Sequence, residues 1–230
     1  MMGAVDVGTS WGASILRLGL GLAATHAGAR PEQPIELYDF EACPFCRKVR
    51  EAVSMLDLET VVYPCPKGGP RYRKEVKRRG SASRFPLMVD PNTGTEMFES
   101  SDIVTYLYER YGNRAAPLWL STHITIPLGS LASGLRLARG GKYRPAKTAE
   151  RPLELYGFEA SPYVRLVRET LCELELAYVL RPVAKRSPTR AAFVERSGRM
   201  MVPWLADPNT GAEMFESADI RRYLLQTYAL

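Results

Sequence analysis

The sequence predicts an α/β protein in which one β-α-β-α-β-β-α unit occurs twice along a chain of 230 residues. Two internal matches carry this prediction. Glu36–Glu51 and Glu154–Glu169 share 11 of 16 residues, while Asp90–Leu107 and Asp207–Leu224 share 14 of 18. Self-similarity at a fixed spacing indicates a repeated structural unit. The composition, with 46% hydrophobic and 24% charged residues, is that of an ordinary globular protein.

The repeat also predicts where the domains begin and end. We expect an N-terminal helical segment at 1–33, a first domain at 34–112, a packed linker with a helix at 113–151, and a second domain at 152–230. The linker mixes Gly, Pro and bulky apolar residues, which is unlike a solvated low-complexity linker.

A fainter echo precedes each unit: ASILRL at Ala13–Leu18 and ASGLRL at 132–137. It predicts a short helix before each domain. The apolar run Trp11–Ala24 also resembles part of a secretory signal, but Arg17 interrupts it and no basic residue precedes it. Since an internal copy cannot be a targeting signal, we interpret the run as part of the repeat.

The elements of the first unit follow in order. Ile35–Phe40 alternates like a strand, and Pro44 fits the first turn of the helix that follows. Apolar residues at helical spacing continue that helix, and Glu59–Tyr63 is a β-branched strand. The basic run 67–80 is expected to be partly helical.

The second half of the unit predicts a hairpin and a helix. Leu87–Val89 and Glu96–Phe98 flank the turn sequence DPNTG. Ser100 is expected to cap the last helix. A unit of about 80 residues is marginal alone, so the two units are expected to pack together.

The sequence CPFC places a reactive pair of thiols at the start of a helix. Cys43 lies where free N–H groups and the helix dipole stabilise a thiolate, and Arg47, Lys48 and Arg50 are expected to add positive charge nearby. Such a setting can lower a cysteine pKa to roughly 3.5–7.5. Cys46, one turn later, can attack a mixed disulfide on Cys43. We therefore expect Cys43 to be the nucleophile and Cys46 the resolving thiol.

The same cysteines could be half of a zinc site, which needs two further ligands. The candidates, which are Cys65, Cys172, His26 and His123, lack motif spacing, so redox chemistry is favoured and no metal is expected. Cys65 follows the second strand and is either a third redox thiol or a buried free cysteine. Cys172, at helical spacing, is interpreted as a core residue.

These motifs resemble known families. CPFC after a strand resembles glutaredoxins, and FP before a strand–turn–strand followed by FESSDIVTYL resembles the N-terminal domains of glutathione transferases. The chain thus resembles tandem glutaredoxin-like proteins with glutathione S-transferase N-terminal domains, which implies two thioredoxin-like domains. The helical C-terminal domain of a typical transferase is not evident, which counts against ordinary transferase activity.

The resemblance implies a glutathione site in each unit. Pro86 and Pro203 match the family's cis-proline, where Phe85 or Val202 offers its backbone to the cysteinyl part of glutathione. The pairs Glu99-Ser100 and Glu216-Ser217 match the residues that hold the γ-glutamyl end. A serine at a helix N-terminus suits a carboxylate, although both serines could serve only as N-caps. The run 67–80 is implied to help hold the glycyl carboxylate.

The second unit lacks both thiols, because Ser161 and Val164 replace the cysteines. Two interpretations remain. Ser161 could act as in serine-type glutathione transferases, which SPYVRLVR resembles, or the unit could be a scaffold that replaces a helical domain. We favour the scaffold.

Three classes of function compete: a glutathione-linked thiol–disulfide oxidoreductase, which we favour, a glutathione-conjugating or isomerising enzyme, and an iron–sulfur carrier using Cys43 with glutathione. The expected partners are glutathione and protein or small-molecule disulfides. Despite a net charge of +6, neither a nucleic-acid partner nor a membrane span is expected. Few thiols favour a reducing, cytoplasmic location, with a plastid or other organelle as the alternative. An internal pseudo-dimer is plausible.

Overall fold

The computed structural model describes residues 4–16, 19–25, 27–80, 84–121 and 126–230. In the N-terminal half the elements are α1 (Ala4–Leu16), β1 (Ile35–Asp39), α2 (Pro44–Leu56), β2 (Thr60–Pro64), α3 (Tyr72–Arg78), β3 (Leu87–Asp90), β4 (Thr95–Met97), α4 (Ser100–Tyr111) and α5 (Leu118–Ser121). In the C-terminal half they are α6 (Ile126–Leu135), β5 (Leu153–Gly157), α7 (Pro162–Glu173), β6 (Tyr178–Pro182), α8 (Arg190–Ser197), β7 (Trp204–Asp207), β8 (Ala212–Phe215) and α9 (Ser217–Tyr228).

The predicted order β-α-β-α-β-β-α is confirmed in both halves. We call the elements β1 to α4 unit 1 and the elements β5 to α9 unit 2. Each unit is a thioredoxin-like domain, in which one strand pair is parallel and the following hairpin is antiparallel. None of the described helices is long and apolar enough to cross a membrane.

Both units contribute to one eight-stranded sheet with the order β4-β3-β1-β2-β6-β5-β7-β8. The join is an antiparallel pairing of β2 with β6, in which Val61 lies opposite Val179. These valines are equivalent positions of the repeat, so the two units are related like the subunits of a symmetric dimer.

The core of each unit lies between the sheet and two helices, α2 and α4 in unit 1 and α7 and α9 in unit 2. Val49 and Ile103 in the first core correspond to Val167 and Ile220 in the second. All four side chains are buried. The apolar spacing that predicted these helices is therefore the spacing that fills the two cores.

The helix that precedes each unit packs against the other unit, an arrangement that the sequence does not predict. Helix α1 lies against α7, and α6 lies against α2. Ser14 Oγ donates to the carbonyl of Ala160 at 2.8 Å, and Ser10 Oγ donates to that of Pro162 at 2.7 Å. On the other side, a Cβ added to Gly129 would lie 3.1 Å from Pro44 Cβ. The start of each unit's first helix, α2 or α7, is thus covered by a crossing segment.

Candidate functional site

Cys43 is the N-cap of α2 and has an extended backbone with φ −79°. Its Sγ accepts a hydrogen bond from the amide of Cys46 at 3.3 Å. A hydrogen bond with the Cys46 side chain lowers the pKa of Cys43, burial opposes this, and the amides of Cys46 and Phe45 lower it further. The helix start therefore stabilises a thiolate on Cys43.

Cys46 is fully buried, whereas Cys43 keeps 5% of its surface exposed. Burial raises the pKa of Cys46 well above its ordinary value, and its hydrogen bond to Cys43 and the charge of Asp39 raise it further. The two thiols therefore differ in exposure and in pKa, as the roles of nucleophile and resolving thiol require. Both cysteines are free thiols in the structure.

Asp39 is a buried carboxyl close to Cys46 that the sequence did not single out. Its equivalent in unit 2 is Gly157, and a Cβ added to that glycine would lie 2.6 Å from Cγ2 of Val164, the equivalent of Cys46. A side chain at position 157 would therefore displace Val164. The mismatch of Asp with Gly, inside a stretch that is otherwise nearly identical, is the signal that could have revealed Asp39.

A cleft of about 460 Å³ opens beside Cys43. It brings together four predicted residues of unit 1, since Cys43, Phe85, Glu99 and Ser100 all line it. The peptide bond between Phe85 and Pro86 is cis, as the resemblance implies. Three aromatic residues also line the cleft: Phe40, Phe45 and Phe98. The sequence did not single them out, because both repeats carry aromatic residues at these positions.

Ser100 does not cap α4, which corrects the expectation from the sequence. Glu99 is the N-cap residue, and Ser100 is the first residue of the helix. Ser100 Oγ is buried and has no hydrogen-bond partner among the described residues. A buried hydroxyl without a partner costs free energy unless a ligand or water satisfies it, so Ser100 is suited to hold a ligand in the cleft.

The basic residues of α2 do not surround the thiol as expected. Arg47 and Arg50 are buried and turn toward unit 2, and Lys48 donates to Ser101 Oγ at 2.7 Å. Burial lowers the pKa of Lys48 to about 8, against the opposing charge of Asp102. Arg50 still contributes a small lowering of the pKa of Cys43.

A buried network of ion pairs joins the starts of α2 and α7. Arg50 Nε donates to Glu159 at 3.1 Å, and Arg168 Nε donates to Glu41 at 3.1 Å, so each arginine pairs with the other unit's glutamate. Burial alone would raise the pKa of Glu41, but Arg168 and Arg50 lower it to about 2. Breaking a buried pair leaves an uncompensated charge, so this network holds the units in one register.

Unit 2 keeps the framework of the site. Ser161 is the N-cap of α7, and its Oγ accepts from the Val164 amide at 3.3 Å. The peptide bond between Val202 and Pro203 is cis. Glu216 precedes Ser217 at the start of α9, and its backbone has φ 67°, whereas Glu99 has φ −82°. A glutamate in this region is strained, and such strain is often found at functional sites.

Cys65 and Cys172 lie in the protein interior. Cys65 belongs to an apolar cluster with Tyr38 and Leu87, and burial raises its pKa. Burial also raises the pKa of Cys172. These placements favour a core role for both residues over that of a redox thiol. The described ranges contain no group of three or more potential metal ligands, and His26 and His123 lie outside those ranges.

Comparison with known proteins identifies the family. The profile described as "Glutathione S-transferase, N-terminal domain" matches residues 37–115 and again 155–230. The chain therefore belongs to the family of glutathione S-transferase N-terminal domains, in a tandem arrangement. A structure titled "Leishmania TDR1 - a unique trimeric glutathione transferase" is similar at 14% identity, with a TM-score of 0.30, over 83% of this chain and 67% of that one. A search of curated protein sequences gives no match.

Proposed function

We propose that the protein is a glutathione-linked thiol–disulfide oxidoreductase whose chemistry resides in unit 1. The observation that carries the proposal is the contrast between the two thiols of α2. Cys43 has a lowered pKa and borders an open cleft, while Cys46 is buried with a raised pKa. A nucleophile needs the first setting, and a thiol that acts only after Cys43 has reacted tolerates the second.

The reaction proceeds by thiol–disulfide exchange. The Cys43 thiolate attacks the glutathione sulfur of a mixed disulfide, forms a bond between Cys43 and glutathione, and releases the other half as a thiolate that takes a proton from water. A second glutathione thiolate then attacks this bond, which yields oxidised glutathione and restores the Cys43 thiolate. Alternatively, the sulfur of Cys46 attacks Cys43, and the bond between Cys43 and glutathione breaks. The proton of Cys46 passes to the departing glutathione thiolate, and a disulfide forms between Cys43 and Cys46.

The cleft beside Cys43 supports glutathione as the reductant. The N–H groups at the start of α4 and the unpaired Oγ of Ser100 suit the γ-glutamyl carboxylate. The exposed carboxylate of Glu99 suits the γ-glutamyl ammonium, and Phe85 lines the same cleft as Cys43. Membership in the family of glutathione S-transferase N-terminal domains supports glutathione as the ligand, and the assignment of these residues to it is part of the proposal.

Unit 2 serves mainly as a structural partner in this proposal. It supplies β6 to the edge of β2 and Glu159 to the buried arginines of unit 1. The proposed boundaries are 34–112 for the reactive domain and 152–230 for its partner. Residues 113–151 cross between them, with α6 packed on α2.

The test compares Cys43→Ser with Cys46→Ser in a glutathione-coupled assay with the mixed disulfide of glutathione and 2-mercaptoethanol. We expect Cys43→Ser to lose the activity and Cys46→Ser to keep it, because only the first thiol is needed when glutathione resolves the intermediate. Cys65→Ser is the matched control and should behave as wild type. Full activity of Cys43→Ser would show that Cys43 is not the reactive residue.

A second candidate is a serine-type glutathione transferase site in unit 2. The strained backbone of Glu216, together with Ser161 at the N-cap of α7, favours it. This activity would appear as conjugation of glutathione to an electrophile that Ser161→Ala abolishes while the protein stays folded, with only the loss of about 1 kcal/mol expected for an N-cap side chain. If the wild type conjugates and Ser161→Ala conjugates equally, unit 2 has no such role.

A further inference from the structure

A second cleft, of about 630 Å³, shares Phe40 with the cleft that contains Cys43. One wall belongs to unit 1 and the other to residues 137–142, which follow α6. Four cationic side chains and one acidic side chain line it: Lys67, Arg73, Arg139, Lys142 and Glu173. Arg139 is ion-paired with Asp6, and Oε1 of Glu173 accepts from the amide of Gly140 at 3.1 Å. Lys67, Arg73 and Lys142 still outnumber Glu173, so the cleft carries a net positive charge.

Two of these cations are held side by side. Lys67 and Lys142 are partners in a parallel β-bridge, fixed by a 2.7 Å bond from the Lys67 amide to the carbonyl of Gly141. Bridge partners project their side chains to the same side, where like charges destabilise the pairing. Within the described ranges neither ammonium has a hydrogen-bond or ion-pair partner. An anion between the two lysines would remove this repulsion.

Unit 2 shows that the bridge does not require two lysines. Its equivalent bridge joins Lys185 to Ala23, with a 2.7 Å bond from the amide of Ala24 to the carbonyl of Lys185. The backbone arrangement is retained there with one cation instead of two. The second lysine is therefore a feature of unit 1, the unit that carries the thiols.

The rest of the cleft is apolar and lies beside the reactive thiol. Phe40, Ala42 and Leu137 line it, and Leu137 is 83% exposed. Phe40 also lines the cleft that contains Cys43, and Ala42 directly precedes that residue. A molecule with an acidic group at the lysines and an apolar body over these side chains would therefore extend to Phe40, the residue that both clefts share.

We propose that this basic cleft binds the acidic group of the second substrate, so that the protein prefers disulfides whose leaving thiol carries a carboxylate. This inference rests on the proposed oxidoreductase function. In the exchange step, Cys43 bonds to the glutathione sulfur, and the sulfur–sulfur bond of the substrate breaks. The leaving thiolate departs through the basic cleft, where Lys67 and Lys142 hold its carboxylate, and it takes a proton from water.

The kinetic test compares two mixed disulfides of glutathione, one with mercaptosuccinate and one with 2-mercaptoethanol. We expect wild type to favour the mercaptosuccinate disulfide in kcat/KM. Lys142→Ala, which reproduces the bridge of unit 2, should lower that preference about five- to tenfold, because a charge-assisted contact is lost. Lys185→Ala removes the same charge from the bridge of unit 2 and should keep the preference.

A binding test separates the cleft from catalysis. Benzylsuccinate, titrated calorimetrically into the full-length protein, should bind wild type and Lys185→Ala equally and bind Lys142→Ala about five- to tenfold more weakly, while its uncharged diamide should bind none of them. If benzylsuccinate binds in this way but no disulfide is reduced, the proposed function fails and the anion site stands.

Two outcomes would overturn the site itself. The first is turnover of both disulfides with equal kcat/KM and no binding of benzylsuccinate, in which case the oxidoreductase function stands alone. The second is a rise in the KM for glutathione in Lys142→Ala that is the same for both disulfides. That result would assign the lysines to the glycyl carboxylate of glutathione.

Discussion

Cys43 at the start of α2 and Ser161 at the start of α7 have the same local geometry. Both are N-cap residues with extended backbones, and each side chain accepts a hydrogen bond from the amide three residues later at 3.3 Å. Each is also covered by a helix that comes from before the other unit. The backbone conformation at this position is therefore the same whether the side chain is a cysteine or a serine.

The units differ in the buried polar groups around that residue. Asp39, Cys46 and Lys48 of unit 1 correspond to Gly157, Val164 and Leu166 of unit 2. Asp39 is ion-paired with Arg50, and Lys48 donates to Ser101 Oγ, so both buried groups have partners. Unit 2 folds the same way without them, so the fold itself does not require these groups.

Separating the two units should have the largest effect. We expect a chain that ends at Gly112, and a chain that begins at Asn113, to aggregate or to unfold without a cooperative transition. Each would lose the pairing of β2 with β6 and expose buried arginines, and a domain of this size is marginal alone. Size-exclusion chromatography and thermal unfolding by circular dichroism measure this. A monomeric chain 1–112 with a sharp transition would show that unit 2 is dispensable.

Breaking the buried ion network should cost less but still weaken both units. Glu41→Gln should lower the free energy of unfolding by about 3 kcal/mol, the low end for a broken buried pair, because Arg168 keeps Glu159 as its remaining buried carboxylate. Chemical denaturation at pH 7 measures the change. Asp219→Asn, in an exposed pair with Arg222, is the control and should cost under about 1 kcal/mol.

The ion pairs of Glu41 should also make the free energy of unfolding depend on pH. The folded-state pKa of Glu41 is lowered to about 2 from an ordinary value of 4.5. Its stabilisation is therefore complete above pH 4.5 and is lost as the pH falls from 4.5 to about 2, since the unfolded chain binds the proton first. The difference between wild type and Glu41→Gln should shrink across that window. A constant difference would mean that Glu41 is not paired in the folded state.

Restoring thiols to unit 2 tests how much of the reactivity belongs to the helix start. In a Cys43→Ser/Cys46→Ser background, the thiol introduced by Ser161→Cys should react with iodoacetamide at pH 7 about tenfold more slowly than Cys43 does in wild type. The N-cap amides remain, but the hydrogen bond from a second thiol is missing. Adding Val164→Cys should recover most of the rate. Equal rates for the single variant and Cys43 would assign the lowered pKa to the backbone alone.

The smallest effect is expected at Lys48, whose equivalent is Leu166. Lys48→Leu should raise the melting temperature at pH 7 by about 2–4 °C, because the buried ammonium opposes folding. With a folded-state pKa of about 8 against an ordinary 10.5, the unfolded chain binds more protons between these values. Wild-type stability should therefore rise toward that of the variant from pH 8 to 10.5. Lys147→Leu, at an exposed site, is the control and should not raise the melting temperature at pH 7.

Much of the site could be predicted from local sequence. The CPFC motif at a helix start identified Cys43, and the family resemblance implied Phe85, Glu99 and Ser100; all four residues line one cleft. The basic residues of α2 could not be placed in the same way. Whether Arg47 and Arg50 face the thiol or the other unit depends on which side of the helix is buried by a distant segment.

The sequence alone determined the repeat, the order of the elements and the difference in chemistry between CPFC and SPYV, because these depend on turn residues, hydrophobic period and residue identity. Only the tertiary structure decided that β2 pairs with β6, that α1 and α6 cross to the opposite units, and that Lys67 meets Lys142 in a basic cleft. These contacts join residues that are distant in the chain. Their register is set by the packing of two units against each other, and a pattern of neighbouring residues does not contain that information.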